Sequence, residues 1–274
     1  MVNGSPTIHL DRMYTKLLIF MLVKDRDPGK TGMLLSRFQQ IVRTIVVLVE
    51  ALTATALTEL LGTDTGEVQQ ISQSLGSVLR YSESNDIPIR LFHPSFRDFL
   101  LDRRRYDDPR FAITGIDTHC NLTISCLHLM SRKFKQDICS LRLPGSLTGE
   151  INLGVIQSYL PSEIQYACCY WFEHLRQSGV RPIQGEPLHD KLHDFFNEHL
   201  LHWLEALSLI GCLHDGAVVI RALDSLLSVC KPQWFLCHKF RWGDVIQASQ
   251  LKCENQAPPV GYPGLLTPRL VRSC

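Results

Sequence analysis

The stretch IPIRLFHPSFRDFLL, residues 87–101, changes period part-way through. Ile87-Pro88-Ile89-Arg90-Leu91-Phe92-His93 reads as an extended strand, and Pro94-Ser95 then restarts a helix. Phe96, Phe99 and Leu100 lie on one face of that helix, and Ser95 or His93 stands near its cap. On the upstream side, Val78-Leu79-Arg80-Tyr81 supplies a second strand. The turn-like Ser82-Glu83-Ser84-Asn85-Asp86 lies between the two, so the whole reads as a β-hairpin with a longer loop.

Three helices precede the hairpin. Leu34, Phe38, Ile41, Ile45 and Leu48 repeat at steps of four and three, an amphipathic face that becomes strongly apolar toward its end. Residues 53–61 form a short helix with Thr53 as N-cap and Gly62 as its stop. A further helix opens at Asp64, with Glu67 completing a capping box and Val68, Ile71, Leu75 and Val78 on its face. Three helices followed by a hairpin is the order of a winged helix, placed here at 33–105.

Farther upstream, residues 8–23 carry Leu10, Met13, Tyr14, Leu17, Leu18 and Met21 at helical spacing, and Asp27-Pro28-Gly29 breaks the pattern. Downstream of Asp107-Asp108-Pro109 the pattern is helical at 117–135, at 162–177 behind an N-cap at Ser162, at 187–210 before Gly211, and at 214–229. The last of these carries Val218, Leu223, Leu226 and Leu227. The expected fold is therefore mainly α: a winged-helix domain with one β-hairpin, followed by an α-helical bundle or array at 106–230. Residues 1–32 precede the winged helix as a helical region and linker. Residues 231–274, with five prolines and no sustained period, read as an irregular tail. No internal repeat is evident.

Bulk composition narrows the function. The chain has 274 residues, 45% apolar and 20% charged, with a net charge of +1. That suits a globular protein without a global field for nucleic acid or anionic lipid. The apolar run 17–23 is too short for a membrane span, and Lys24-Asp25-Arg26 follow where a secretory cleavage site would need small residues. The ten cysteines are irregularly spaced and begin only at Cys120, which points to free thiols in a reducing, cytoplasmic setting.

Several stretches imitate catalytic motifs. Asp27-Pro28-Gly29-Lys30-Thr31-Gly32 resembles the end of a phosphate-binding loop. The motif needs a first glycine at position 24, where Lys24 stands, and Pro28 removes a backbone donor. A Walker B reading of the same apolar run and Asp25 fails on order and on helical period. The stretch reads as a hinge or surface loop. His189 and His193 share a helix face one turn apart, with Asp190 between, but a zinc site needs further ligands and none stands at a familiar spacing. His119-Cys120, Cys126-Leu127-His128 and Cys237-His238 lack a paired Cys-x-x-Cys. The acid pair Asp107-Asp108 has no nucleophile or base beside it, and no Gly-x-Ser-x-Gly occurs. No catalytic residue, metal site or cofactor is expected. A winged helix can bind DNA, but the 64–79 segment and the wing are acidic. The one basic cluster, Arg103-Arg104-Arg105, lies at a helix end where it suits the dipole.

Leu91-Phe92-His93-Pro94-Ser95-Phe96-Arg97-Asp98-Phe99-Leu100-Leu101 resembles the end of the winged-helix domain in NACHT-type signal-transducing NTPases (the STAND class). The similarity is to the large fungal heterokaryon-incompatibility type, which often ends in WD-repeat propellers. Leu10-Asp11-Arg12-Met13-Tyr14 looks like the helix after their ATPase core, and Phe38-Gln39-Gln40-Ile41-Val42 looks like the opening of their winged helix. Leu160-Pro161-Ser162-Glu163-Ile164-Gln165-Tyr166-Ala167-Cys168 and the run from His199 to Leu209 look like their following helical region. The resemblance covers about 8–229 and implies that His93 matches a histidine that touches the phosphates of bound ADP in a complete family member. The family's P-loop, Walker B strand, sensor residues, effector domain and propeller are absent from this sequence. The expectation is a non-catalytic regulatory and interaction fragment that couples nucleotide state to a sensor region. Its expected partners are proteins, either NACHT-type or a second copy, with no nucleic acid and no membrane. The alternatives are an autonomous protein–protein scaffold and a DNA-binding winged helix.

Overall fold

The computed structural model describes residues 6–23, 28–82, 87–106, 108, 111, 113–141, 151–180 and 187–228. The tip of the hairpin loop and the tail expected at 231–274 lie outside the described residues. Among the described residues the protein is mainly α-helical with a single two-stranded antiparallel ribbon. Helix α1 spans Pro6–Val23 and α2 spans Pro28–Val47. The Gly-Lys-Thr stretch read as a linker is therefore the opening of α2. A proline starts a helix without loss because the first-turn N–H groups have no intrahelical partner.

Helices α3 (Ala54–Leu61) and α4 (Thr65–Ser74) follow the sequence reading closely. Thr53 Oγ1 accepts from Ala56 N, and Gly62 adopts φ +63°, the left-handed stop that a Cβ would strain. Asp64 Oδ1 accepts from Gly66 N at 2.7 Å. The Glu67 carboxylate, expected to close a capping box, instead lies 3.1 Å from Arg37 and ties α4 to α2. The ribbon is short. Strand β1 (Leu79–Arg80) pairs with β2 (Arg90–Leu91), with Leu79 opposite Leu91 and Arg80 opposite Arg90. Ile89 N also donates to Leu52 O at 2.8 Å, which anchors the return strand to the α2–α3 connection. Helix α5 spans Pro94–Leu101 and runs into a 3₁₀ turn at Arg103–Arg105.

The remaining helices are α6 (Gly115–Lys133), α7 (Leu153–Tyr159), α8 (Ser162–Ser178), α9 (Pro187–Leu209) and α10 (Leu213–Ser228). Helix α7 was not expected. It buries only Ile156, and its short sequence carries Gly154, so no amphipathic period shows. The N-cap position of α8 is Pro161 rather than Ser162, and no side chain caps it. In α10 the expected Leu223 is buried, but Val218 is exposed and Ala217 and Ile220 are buried in its place, while the side chains of Leu226 and Leu227 lie outside the described residues. Gly216 lets α10 approach α9 closely, because a Cβ there would stand 2.6 Å from Leu207 Cδ1.

Helix α6 packs most extensively on α8 and also meets α2, α3 and α9. One hydrophobic core therefore runs from Tyr14 through the hairpin region to Leu223. Its densest part is aromatic. Trp171 of α8 is sealed from solvent and meets Trp203 edge-on at 5.8 Å and Phe196 at 5.7 Å. Trp203 Nε1 donates to Cys168 O at 3.1 Å.

Candidate functional site

The sequence singled out His93, and the fold places it at the junction of β2 and α5. A residue before proline is pushed toward extended backbone. His93 accordingly has φ −142° and ψ 138°, which makes it the N-cap of α5. Its ring performs the capping. Nδ1 accepts from Ser95 N at 3.1 Å and lies 2.7 Å from Ser95 Oγ. With Nδ1 used as an acceptor, the neutral ring carries its proton on Nε2. The residue is exposed and stands at a helix N-terminus, so Nε2–H is a donor that the cap does not use.

Helix α1 holds this junction from behind. Tyr14 OH lies 2.7 Å from Ser95 Oγ, forming a chain Tyr14–Ser95–His93. The Tyr14 ring packs edge-on against Phe96 at 5.1 Å and lies 5.4 Å from Phe99, and Leu18 one turn on is fully buried. Asp11, one turn before Tyr14, receives Arg105 Nη2 at 2.7 Å and Nε at 3.1 Å. Both partners are mostly shielded from solvent. Helix α1 is thus fixed to both ends of α5, while Ile8, Met13 and Ile19 on its other sides remain exposed.

The basic cluster expected at a helix end is largely committed elsewhere. Arg105 serves Asp11, and Arg104 binds both oxygens of Asp102. The Arg104 hydrogen bonds hold the Asp102 carboxyl below its usual range. The His189–His193 pair does share a helix side, with rings 6.4 Å apart. His189 is buried, however, and each ring faces its neighbouring aspartate, Asp190 or Asp194. Among the described residues no group of three or more His, Cys, Asp or Glu is placed to hold a metal ion. Asp107 lies outside the described residues. The Asp108 carbonyl accepts from Phe111 N.

A second constellation was invisible in the sequence. Tyr166 of α8 accepts from Val49 N at 3.2 Å and lies 2.7 Å from His174 Nε2. His174 Nδ1 lies 2.9 Å from His119 Nδ1 of α6. One proton arrangement satisfies every member: Tyr166 O–H donates to Nε2, His174 Nδ1–H donates to His119, and His119 keeps its proton on Nε2. His174 is completely buried, and burial together with the adjoining His119 pushes its pKa down to about 3. Burial likewise lowers His119 and raises Tyr166. The relay is neutral and fastens the end of α2 to α6 and α8. Beside it, Tyr170 OH donates to Glu50 Oε2 at 3.3 Å.

Comparison with known proteins adds one relative. The chain is 32% identical over 178 residues to Vegetative incompatibility protein HET-E-1 of Podospora anserina. The aligned part is 60% of this chain and 13% of that protein, so the chain spans a small fraction of the relative's length. This agrees with the fungal incompatibility-type resemblance in the sequence. No protein-family model and no solved structure matches the chain. No helix among the described residues is long and apolar enough to cross a membrane.

Proposed function

We propose that the chain is a non-catalytic regulatory portion of a NACHT-type signalling protein. Residues 33–105 serve as its winged helix and 106–230 as the helical region that passes a signal onward. The carrying observation is the 178-residue similarity to an incompatibility protein of which this chain spans only 13%. The geometry of His93 supports the same reading. Its Nδ1 is used by the α5 cap, and its exposed Nε2–H beside a helix N-terminus suits an anionic oxygen supplied by another part of the assembly. Helix α1 supports it too, because its exposed apolar side chains fit a neighbouring ATPase core. The cytoplasm, with protein partners, is the proposed setting. DNA binding is disfavoured because Arg104 and Arg105 are paired and α4 presents Glu67 to Arg37.

Titration calorimetry tests this reading. The isolated chain should give no binding heat with micromolar ATP or ADP, and it should co-elute in size-exclusion chromatography with a NACHT ATPase core. Saturable nucleotide binding by the chain alone would contradict the proposal. A salt-dependent mobility shift with duplex DNA would favour the DNA-binding alternative.

A further inference from the structure

The β-ribbon brings together two arginines that are well separated in the chain. Arg80 of β1 lies directly opposite Arg90 of β2. Phe92 N donates to Val78 O at 2.9 Å, which continues the same register. Side chains alternate along a strand. One face of the ribbon therefore carries Leu79 and Leu91, which pack into the core. The other carries Arg80, Arg90, Val78 and Phe92. Val78 is covered, but both arginines are exposed and Phe92 is 59% exposed. Residues paired in this way have Cα atoms about 5 Å apart, so two guanidinium groups can converge on one ligand.

Other arginines of the protein meet acids: Arg37 lies on Glu67, Arg104 on Asp102, Arg105 on Asp11 and Arg176 on Glu173. Among the described residues, Arg80 and Arg90 meet none. Like charges directly opposite each other on a sheet cost stability. The pair is thus a burden on the ribbon that contact with an anion would relieve. The backbone beneath it is fixed by the Phe92–Val78 bond and by Ile89 N, which donates to Leu52 O at 2.8 Å. Two guanidinium forks on a fixed backbone, beside an exposed aromatic ring, suit carboxylates that flank an apolar side chain.

We propose that this face of the ribbon is a docking surface for an acidic segment of a partner protein. Two carboxylates of the segment sit on Arg80 and Arg90, and an apolar side chain lies against Phe92. Charge complementarity selects this occupant. A nucleic acid needs cations spread along its phosphates, but the neighbouring sequence carries acids. Asp64 and Glu67 open α4, Glu83 and Asp86 occur in the loop sequence that joins the strands, and Asp98 is exposed on α5. An isolated pair of cations matches a short acidic segment rather than a polyanion. The surface needs neither nucleotide nor an ATPase core, so it stands or falls separately from the regulatory reading above.

The test is fluorescence anisotropy of the full chain with a fluorescein-labelled peptide of glutamates around a central leucine. A glutamine version of the peptide and a labelled DNA duplex serve as comparisons. The expected result is saturable binding of the glutamate peptide that weakens with added salt, and no binding of the glutamine peptide. Arg80→Gln and Arg90→Gln should each weaken it about tenfold. Arg104→Gln should leave it unchanged, because that guanidinium is held by Asp102. Arg80→Glu separates docking from folding. It sets an acid opposite Arg90, so the urea midpoint should hold or rise while peptide binding is lost. Equal affinity for the two peptides, or none for either, would overturn the proposal. So would unaltered glutamate-peptide binding in Arg80→Gln and Arg90→Gln. Tighter binding of the DNA duplex, lost in the same variants, would overturn it in favour of a nucleic-acid surface. Should Arg80→Glu lose its helical circular dichroism, the two glutamine variants decide.

Discussion

Two histidine sites in this molecule use the same side chain in opposite ways. At the β2–α5 junction, His93 spends one ring nitrogen on a local cap and keeps the other exposed. At the α6–α8 contact, His174 spends both nitrogens inside the protein, one on Tyr166 and one on His119. The first arrangement leaves a donor for something outside the chain. The second leaves none, and its energy goes into fixing how three segments fit. Exposure decides the difference, because a buried polar ring is tolerated only when its hydrogen-bonding capacity is filled from within.

The comparison predicts unequal responses to truncation. His174→Ala should be the most damaging change, removing a fully buried ring and orphaning both His119 and Tyr166. The expected loss is about 3–5 kcal/mol from the cavity and unmet polar groups together. Urea unfolding measures it. A loss under ~1 kcal/mol would show that the relay contributes little to the fit of α6 and α8.

Acid should act on the same site. His174 has a native pKa of about 3 against 6.5 for the free side chain. Above 6.5 the ring is neutral in both states and contributes no pH dependence. Between 6.5 and 3 the unfolded chain takes up a proton that the native state refuses, so stability falls as pH falls. From pH 7 to pH 5 the loss from this group is about 2 kcal/mol. His119, also lowered by burial, adds in the same direction, while Glu173 opposes both. His174→Phe should flatten this part of the urea-midpoint profile even though the variant is less stable throughout. An unchanged slope would place the titrating group elsewhere.

The different legibility of the two sites follows from their range. His93 was readable because its chemistry is local: a strand, a pre-proline position and a helix start occur within a few residues. The caps at Thr53, Asp64 and Gly62 were readable for the same reason. His119, His174 and Tyr166 were not, since their partners come from α6, α8 and the end of α2, and no spacing marks them. Glu67 shows the limit of a local rule: the capping-box pattern was present, but the nearby Arg37 took the carboxylate. Val218 shows another limit: it is exposed while Ala217 and Ile220 are buried, although Leu223 of the same expected face is buried as read.

Between the two histidine sites in expected effect stands the Asp11–Arg105 pair. It holds α1 against the end of α5, and both side chains are only 16% exposed. Asp11→Ala should cost about 1–2 kcal/mol, less than a fully buried pair because water still reaches it. The loss should be regional. Amide exchange should accelerate in α1 while Trp171 and its neighbours stay protected, and uniform acceleration would mean that α1 is integral to the whole core rather than a docked helix.

His93 gives the smallest stability effect and the sharpest separation of roles. His93→Ala removes the acceptor for Ser95 N and should cost about 1 kcal/mol. His93→Asn restores a strong capping side chain and should recover most of that loss, but it supplies no imidazole Nε2–H. If His93 only caps α5, the asparagine variant should behave like the unaltered chain in every assay, including association with a NACHT ATPase core in the presence of ADP. If the exposed nitrogen meets a phosphate in that assembly, the asparagine variant should be stable yet lose the ADP-dependent part of the association. Equal ADP dependence in the two proteins would leave His93 as a cap and nothing more.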